Sequence, residues 1–190
     1  MGARIYTRPD MLSPPADAQP AQITLEKPCR APHGARLAQI TRTKKVMGWV
    51  ADGNTWGPKK LDRFFAYCGQ EEGQSREERE NYYSVVAAGG VCVGIVGVHP
   101  IAHDPSQLGA PSLTVFISAP FAGRGIGPKA IGAALAEYWG HHPGRDVLID
   151  VRADNIPMQR VAEKMGFGAV EGAYEFGGRA YTRFVARGRR

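Results

Sequence analysis

Short runs of apolar and β-branched residues recur along the chain, separated by stretches in which apolar residues return every three or four positions. The short runs are typical of strands, whereas the longer spacing predicts amphipathic helices. Glycine pairs at 89–90 and 177–178 separate strand-like runs and predict two tight hairpins. The predicted order is strand, two helices, three strands, helix, strand, helix and two strands. This order indicates an α/β (α+β) fold: a mixed, mostly antiparallel twisted sheet of about seven strands with helices on both faces.

The same pattern predicts where each element lies. Strands are predicted at 21–27, 82–88, 91–99 and 113–117, within 145–155, and as a closing hairpin within 168–186. Helices are predicted from His33 to Lys45, from about Pro58, behind the glycines at 123–127, and from a cap at Asn155 with Pro157 in the first turn. Gly94 and Gly97 interrupt the strand at 91–99, which predicts a bulge or the close approach of another backbone.

One stretch, residues 113–139, combines a buried strand, a glycine-rich loop and an amphipathic helix. The glycines at 123, 125 and 127 lie where backbone N–H groups and the positive end of a helix dipole meet, and this arrangement suits a phosphate. Arg124 and Lys129 add mobile positive charge. The alternative is an ordinary strand-to-helix turn that needs glycine only for its backbone angles. The stretch alone leaves both interpretations open.

The composition is that of a soluble globular protein, with 43% hydrophobic and 22% charged residues in a chain of 190. A net charge of +6 favours anionic partners and fits a polycationic substrate poorly unless the fold hides an acidic pocket. No interleaved basic and aromatic pattern makes nucleic acid the leading partner. Three scattered cysteines and adjacent histidines at 141–142 lack metal-ligand spacing, so no metal is expected. No signal peptide or membrane-spanning run is predicted, and the expected setting is the cytoplasm.

The chain is expected to form one domain. Residues 1–22 hold several prolines among small and polar residues and predict a flexible N-terminal arm. Residues 23–187 are long enough to bury a core and predict a single domain. The charged run at 70–80 predicts a solvated surface loop.

Two motifs in the chain are informative together: FISAPFAGRGIGPKA (116–130) and ADNIPMQRVAEKMGF (153–167). The first resembles the strand followed by Arg/Gln-x-x-Gly-x-Gly/Ala of the GNAT superfamily of acyl-CoA-dependent N-acetyltransferases. The second resembles that family's Asn followed by a helix that ends in Glu-Lys-x-Gly-Phe. The predicted order of elements is similar to the family's over residues 21–187. The segments WVADGNTWGPKKLDRFFAY and GFGAVEGAYEFGGRAYTRF resemble the branch of ribosomal-protein N-terminal acetyltransferases.

The resemblance implies an N-acetyltransferase that moves the acetyl group of acetyl-CoA, its co-substrate, to a primary amine by direct attack. It implies that the pyrophosphate lies over the glycine loop and the pantetheine beside the strand, where a freed N–H polarises the thioester carbonyl. Asn155 is expected to bond the pantetheine or the acceptor, or only to cap its helix. The residues that the resemblance assigns to the cofactor are Val115, Phe116, Ile117, Gly123, Arg124, Gly125, Ile126, Gly127, Lys129 and Asn155.

Three residues depart from the family pattern. Ala122 occupies the usual Arg or Gln position, so one side-chain contact to phosphate is missing. Pro128 lies in the first helical turn and cannot donate a backbone N–H. Ala162 stands where many members have a tyrosine thought to protonate the leaving thiolate. These departures make a catalytically weak acyl-CoA-binding regulatory module of the same fold the alternative function.

The sequence assigns no catalytic residue. Candidate proton acceptors are His99, His103, Asp150, Glu171 and Glu175, and candidate acids are Tyr174 and Tyr181. The acceptor stays open between a protein N-terminus, a lysine side chain and a small-molecule amine. A homodimer is also left open. A basic protein that binds RNA or the ribosome is a third hypothesis, based on the charge alone.

Overall fold

The computed structural model describes residues 22–50, 53–70, 79, 81–100, 109–170, 172 and 174–188. This part of the chain contains five α-helices and an eight-stranded sheet. The helices are α1 (Arg30–Thr41), α2 (Lys44–Met47), α3 (Pro58–Gln70), α4 (Ile126–His141) and α5 (Ile156–Lys164). The strands are β1 (Ile23–Glu26), β2 (Tyr82–Ala88), β3 (Val91–His99), β4 (Ser112–Ile117), β5 (Val147–Arg152), β6 (Gly168–Ala169), β7 (Tyr174–Phe176) and β8 (Arg179–Ala186).

The strands form one sheet in the order β1-β2-β3-β4-β5-β8-β6, with β7 paired to β8. Neighbouring strands are antiparallel except β4 and β5, which run parallel. The pairing of β4 with β5 is limited to the point where Ser112 lies opposite Leu148. The predicted fold class, a mixed and mostly antiparallel sheet, is therefore confirmed. Because β4 and β5 pair only near their start, a gap lies between the carboxyl ends of these two parallel strands.

Helices cover both faces of the sheet, as the sequence predicts. On one face, α4 and α5 pack over an apolar core that includes Leu135 and Phe184. On the other face, α1, α2 and α3 pack over a second core that includes Leu37 and Phe64. Side chains of each strand alternate between the two cores, and Phe116 of β4 belongs to the second. These two sides are called the α4 face and the α1–α3 face below.

Both hairpins turn at the predicted glycine pairs. The glycines at 89–90 have φ angles of 59° and 75°, and those at 177–178 have 58° and 71°, values that favour glycine. The predicted irregularity of β3 is also confirmed. The register of the β2–β3 pair shifts near Gly94, and a Cβ at Gly94 would lie 2.1 Å from the carbonyl oxygen of Phe116.

The helix predicted from His33 to Lys45 is wrong in its bounds. The helix α1 begins at Arg30 and ends at Thr41, and the separate helix α2 follows. At the break, the hydroxyls of Thr41 and Thr43 donate to carbonyl oxygens four residues earlier, at 2.8 and 3.0 Å. Such bonds compete with the helical ladder, and the backbone of Thr43 is extended.

The sheet has one strand more than the sequence pattern predicts. The short strand β6 adds an eighth strand to the predicted sheet, because two residues are too few to show a periodicity. The arm predicted at residues 1–22 and the loop predicted at 70–80 lie almost entirely outside the described residues. The single-domain organisation over 23–187 stays a prediction.

Candidate functional site

The edge of β4 that faces β5 is open beyond Ser112. The N–H of Ser118 donates to the carbonyl oxygen of Val93 on β3 at 2.7 Å, and bonded and non-bonded pairs alternate along the ladder from there. Val115 and Ile117 therefore direct their backbone N–H and C=O groups away from β3 and into the gap. Within the described residues, β5 is not paired with either of them. The gap thus offers unpaired backbone donors and acceptors along a strand edge.

A glycine loop joins this edge to α4. After one 3-10 turn at Ala119–Phe121, Gly123 and Gly125 adopt left-handed φ angles of 75° and 72°. Gly125 precedes α4 and has no side chain to cap it, so N–H groups of the first turn stay available. A Cβ added at Gly123, Gly125 or Gly127 would meet no atom within 4 Å. The surface over the loop is therefore open to a ligand.

The open end of α4 is electropositive. Its N-terminal N–H groups carry the positive end of the helix dipole, and the exposed side chains of Arg124 and Lys129 lie beside it. Pro128 removes one donor from the first turn, and the N–H of Lys129 bonds the carbonyl of Gly125 at 3.4 Å. The donors that remain in this turn are the N–H groups of Ile126 and Gly127.

Asn155 follows the carboxyl end of β5. Its Oδ1 accepts from the N–H of Met158 at 3.3 Å, and Pro157 lies in the first turn of α5, which confirms the predicted cap. The side-chain amide keeps its N–H groups for a second partner, because the cap uses only the oxygen. A cap and a ligand contact are thus compatible at this residue, which lies where parallel strands of open sheets bind ligands.

Across the gap, β5 carries a buried ion pair on the α1–α3 face. Both oxygens of Asp150 accept from Arg183 on β8, at 2.7 and 2.8 Å, and Arg183 is only 3% exposed. The ring of Tyr174 lies 5.1 Å from this guanidinium and stacks on Tyr181 at 5.6 Å. Burial, with the neighbouring Asp150 carboxylate, raises the pKa of Tyr174 well above its usual range, so this phenol is a weaker acid than an ordinary tyrosine.

The other half of the α1–α3 face carries His99, at the end of β3. Its Nδ1 lies 2.9 Å from the carbonyl oxygen of Pro100, and its Nε2 lies 2.9 Å from Oγ1 of Thr114 on β4. The imidazole stacks on the ring of Tyr83, with centroids 5.3 Å apart and planes 13° from parallel. Burial lowers the pKa of His99 below its usual value, so the ring is neutral at pH 7.

Aromatic and basic residues form the wall between the gap and the helices of the α1–α3 face. Trp56 packs on Phe116 with ring centroids 5.9 Å apart. Arg152, at the end of β5, donates to the carbonyl oxygen of Gly48 at 2.7 Å, and its guanidinium lies 4.7 Å from the ring of Trp49. These contacts hold the segment after α2 against the carboxyl end of β5.

The segment that carries α1, α2 and α3 is strongly basic. Residues 22–69 contain nine Lys or Arg and three Asp or Glu, an excess of six that equals the net charge of the whole chain. A cavity of about 220 Å³ between α1 and the start of α3 is lined by Arg30, Arg42 and Trp56, among others. The segment on this side of the gap therefore carries a net positive charge.

The structure does not gather the candidate bases at one point. His99 lies on β3, whereas Asp150 lies across the gap on β5 with both oxygens engaged by an arginine. Glu175 is exposed on the β7–β8 hairpin. His103 and Glu171 lie outside the described residues.

Two residues of the site, Thr114 and Arg183, are not among the candidates that the sequence predicts. Thr114 is the polar exception in the apolar run LTVFI, and that exception is the signal by which it could be found. Arg183 is buried against Asp150, 33 residues earlier, and nothing local in its strand marks the pairing.

Two of the residues that depart from the family motif, Ala162 and Ala122, lie in different surroundings. Ala162 is 1% exposed and belongs to the core of the α4 face, where the bulk of a tyrosine would overpack its neighbours. Ala122 is exposed and ends the 3-10 turn with an extended backbone. Neither position offers a polar side chain to a ligand.

The described residues hold neither a cluster of metal ligands nor a membrane-spanning helix. No group of three or more His, Cys, Asp or Glu side chains there is placed to hold a metal ion. No helix of the described ranges has the length and apolar character needed to cross a membrane. The three cysteines form no disulfide, and Cys29 is exposed whereas Cys68 and Cys92 are buried.

Residues 22–168, more than half of the chain, match the family model described as an acetyltransferase (GNAT) domain. No curated protein matches the sequence. Solved structures with a similar fold include the Salmonella typhimurium protein yncA with its cofactor acetyl-CoA, at 14% identity and a TM-score of 0.64, covering 87% of this chain and 92% of that one. They also include RimL, the ribosomal L7/L12 alpha-N-protein acetyltransferase in complex with coenzyme A, at 16% identity and a TM-score of 0.67, covering 87% and 93%.

A third similar structure is a chimera of the Vibrio cholerae spermidine N-acetyltransferase SpeG and hSSAT. It is 16% identical, has a TM-score of 0.64, and the match covers 88% of this chain and 96% of that one. Proteins this distant share the fold with the chain, and their acceptors, a protein amine and a polyamine, differ from one another.

Proposed function

Because this chain belongs to the GNAT acetyltransferase family, we propose that it moves the acetyl group of acetyl-CoA to a primary amine by direct attack. The observation that carries the proposal is the open edge of β4, which leads directly into the uncapped end of α4. The pantetheine arm of acetyl-CoA can hydrogen-bond to such a strand edge, and the pyrophosphate at its end suits the N-terminus of a helix. The structures of yncA with acetyl-CoA and of RimL with coenzyme A add support from the same fold.

The phosphate end of acetyl-CoA is proposed to lie over the glycine loop. The loop is open above Gly123, Gly125 and Gly127, and the first turn of α4 directs its free N–H groups there. Arg124 and Lys129 supply charge in place of the side chain that Ala122 lacks. In this placement the phosphates do not depend on a side chain at position 122 or on the N–H that Pro128 lacks.

The pantetheine arm is proposed to extend β4 as an added strand. Val115 and Ile117 present the unpaired groups that such an arm needs, and Phe116 lies between them. Asn155 offers its side-chain N–H groups from the end of β5. The N–H of Val115 or Ile117 would then donate to the thioester oxygen and stabilise the negative charge that develops during attack.

The acceptor amine is proposed to arrive from the α1–α3 face. The polar side chains beside the gap, those of His99, Thr114 and Asp150, lie on this face, whereas the β4 side chains on the α4 face belong to an apolar core. The amine has to be neutral to attack, which is easier for an α-amine, with a pKa near about 8, than for a lysine, near about 10.4.

The charge of the acceptor wall bears on the acceptor class. Residues 22–69, which include α1, α2 and most of α3, have an excess of six positive charges, and this charge disfavours polycations such as spermidine, the acceptor named for SpeG. We therefore propose a protein N-terminus, a lysine side chain or a small amine in a neutral or acidic context. The cysteines, none of which forms a disulfide, favour a reducing, cytoplasmic setting. Whether the chain forms a homodimer stays a prediction.

A second function is favoured by one observation. Ala162 is buried in the core, so α5 supplies no hydroxyl to protonate the leaving thiolate. If no other group protonates the leaving thiolate, the expected function is a regulatory module that binds acyl-CoA and transfers its acyl group poorly. Coenzyme A has a thiol of ordinary acidity, and its thiolate can leave without an acid, which makes the enzyme the preferred proposal.

The test combines binding and turnover. The purified protein is mixed with acetyl-CoA and a panel of acidic, neutral and basic peptides, with and without a blocked N-terminus, together with spermidine, and the release of free thiol is followed. We expect a thermal shift with coenzyme A and turnover with neutral or acidic peptides. Tight binding without turnover would favour the regulatory module, and neither binding nor turnover would refute both. A preference for spermidine would refute the proposed acceptor class alone.

A further inference from the structure

Thr114 lies on β4, the strand with the open edge, and its hydroxyl contacts a histidine. It immediately precedes Val115, whose backbone groups face the gap, and its side chain lies on the α1–α3 face, from which the amine is proposed to approach. Its hydroxyl is 2.9 Å from Nε2 of His99. A hydroxyl next to the proposed thioester position is thus bonded to the imidazole of His99.

The sheet is built to hold this pair. Gly97 of β3 lies opposite both Tyr83 on β2 and Thr114 on β4. A Cβ at Gly97 would lie 2.3 Å from the Tyr83 ring, so the missing side chain lets that ring lie across β3. His99 stacks on the ring two residues further along. The absence of a side chain at Gly97 therefore makes room for the Tyr83 ring.

The hydrogen bonds determine the tautomer of the imidazole. The carbonyl oxygen of Pro100 can only accept, so Nδ1 carries the proton and Nε2 has a lone pair directed at the Thr114 hydroxyl. From β2 the phenol of Tyr83 faces the ring, and from α3 Tyr67 packs on Tyr83 at 6.4 Å. Within the described residues, burial is the main cause of the lowered pKa of His99, and no neighbouring charge contributes.

We propose that the Thr114 hydroxyl and the His99 imidazole form the route by which the acceptor amine loses its proton. Thr114 contacts the amine, and His99 acts through Thr114. The proposal rests on the acetyl transfer proposed above and adds the proton acceptor that the sequence left unassigned. Other titratable groups on this face are less suited: Asp150 gives both oxygens to Arg183.

The step balances without a further reactant. The ammonium form of the acceptor gives one proton to Oγ1 of Thr114 while the Thr114 hydroxyl proton passes to Nε2 of His99. The nitrogen lone pair forms the C–N bond, the carbonyl electron pair moves to oxygen, and its return breaks the C–S bond. The sulfur leaves as a thiolate and takes the second proton of the nitrogen, directly or through water. His99 then releases its proton to solvent.

The test uses two pairs of variants. Thr114→Val keeps the shape and removes the hydroxyl, whereas Thr114→Ser restores it. His99→Gln removes the titrating ring, and His141→Gln is its control, because His141 lies at the far end of α4. Initial rates are measured across pH with acetyl-CoA and the best acceptor from the peptide panel, and CoA affinity and melting temperature are measured for each variant.

The expected result is a fall in kcat of about 10²-fold or more for Thr114→Val and His99→Gln, the usual range for general base catalysis, with unchanged CoA affinity. Thr114→Ser should recover most of the rate, and His141→Gln should match the wild type. In the wild type, kcat should fall only below the pH range in which an ordinary histidine titrates, because burial lowers the pKa of His99. This acid limb should be absent in His99→Gln.

Failure of the proposed proton relay and failure of the proposed acetyl transfer would give different results. An active wild type in which both Thr114→Val and His99→Gln keep kcat and the acid limb would overturn the relay and leave acetyl transfer standing. A wild type that acetylates no amine would overturn both proposals. If His99→Gln fails to fold, the comparison of Thr114→Val with Thr114→Ser decides alone, and equal rates for these two variants would refute the relay.

Discussion

Replacing Gly127 with aspartate tests the proposed phosphate site at a position where the fold should not suffer. Gly127 lies in the first turn of α4, its φ is not left-handed, and a Cβ there meets no atom within 4 Å. Glycine is a poor helix former, and an acidic side chain is favourable at a helix N-terminus. Gly127→Asp should therefore leave the stability of the free protein unchanged or raise it by up to about 1 kcal/mol.

The expected loss of cofactor affinity follows from Coulomb's law. A carboxylate about 5 Å from a pyrophosphate with two negative charges opposes it by roughly 2 kcal/mol in water, and by about four times as much at the lower effective dielectric of a protein surface. Because 1.4 kcal/mol is a factor of ten, we expect the Kd for coenzyme A to rise by about 10²-fold. The rise should shrink at high salt, which screens exposed charges.

Isothermal titration calorimetry with coenzyme A measures the effect, and two variants calibrate it. Gly127→Ala adds a Cβ without charge and should change Kd by less than about 3-fold, since the space is open. Gly140→Asp places the same carboxylate at the opposite end of α4, where it opposes the helix dipole, and should leave Kd unchanged. Wild-type affinity in Gly127→Asp, with a folded protein, would refute the placement of the pyrophosphate over this loop.

Three further predictions concern the fold around the site. Gly94→Ala should lower the free energy of unfolding by more than about 1 kcal/mol, because its Cβ would overlap a carbonyl oxygen of β4. Gly69→Ala, in open space on α3, should raise the free energy of unfolding by up to about 1 kcal/mol. Equal urea midpoints for the two variants would contradict this prediction. Asp150→Ala leaves its buried arginine partner unpaired and should cost about 3 kcal/mol in the same assay, and a loss below about 1 kcal/mol would show that the pair is dispensable. At pH 8 a thiol reagent should modify only Cys29 in the native protein, because burial raises the pKa of Cys92 to about 11; rapid modification of a second thiol would contradict the described packing.

Elements that depend on neighbouring residues could be predicted from the sequence. The two hairpins turn at glycine pairs because those positions need positive φ angles. The cap at Asn155 was equally predictable, since it requires only a side-chain oxygen within reach of an N–H three residues on. The glycine loop before α4 belongs to the same class, because its geometry is set within a few residues.

Other features of the site depend on contacts between distant segments. The end of α1 was predicted too late because apolar spacing continues past Thr41, while hydroxyl bonds to the preceding turn end the helix. The pair of Asp150 and Arg183 joins two strands that are antiparallel neighbours. Such pairing requires a strand order and a register that local patterns do not encode.

The sequence by itself determined most of the elements, their order and the glycine loop, because hydrophobic period, turn residues and caps act over a few positions. Only the tertiary structure decided that β4 and β5 part after Ser112 and leave an open edge beside that loop. It also decided that His99 meets Thr114, since these residues become neighbours only through the pairing of β3 with β4. A site assembled across strands depends on register, and register is a property of the whole sheet.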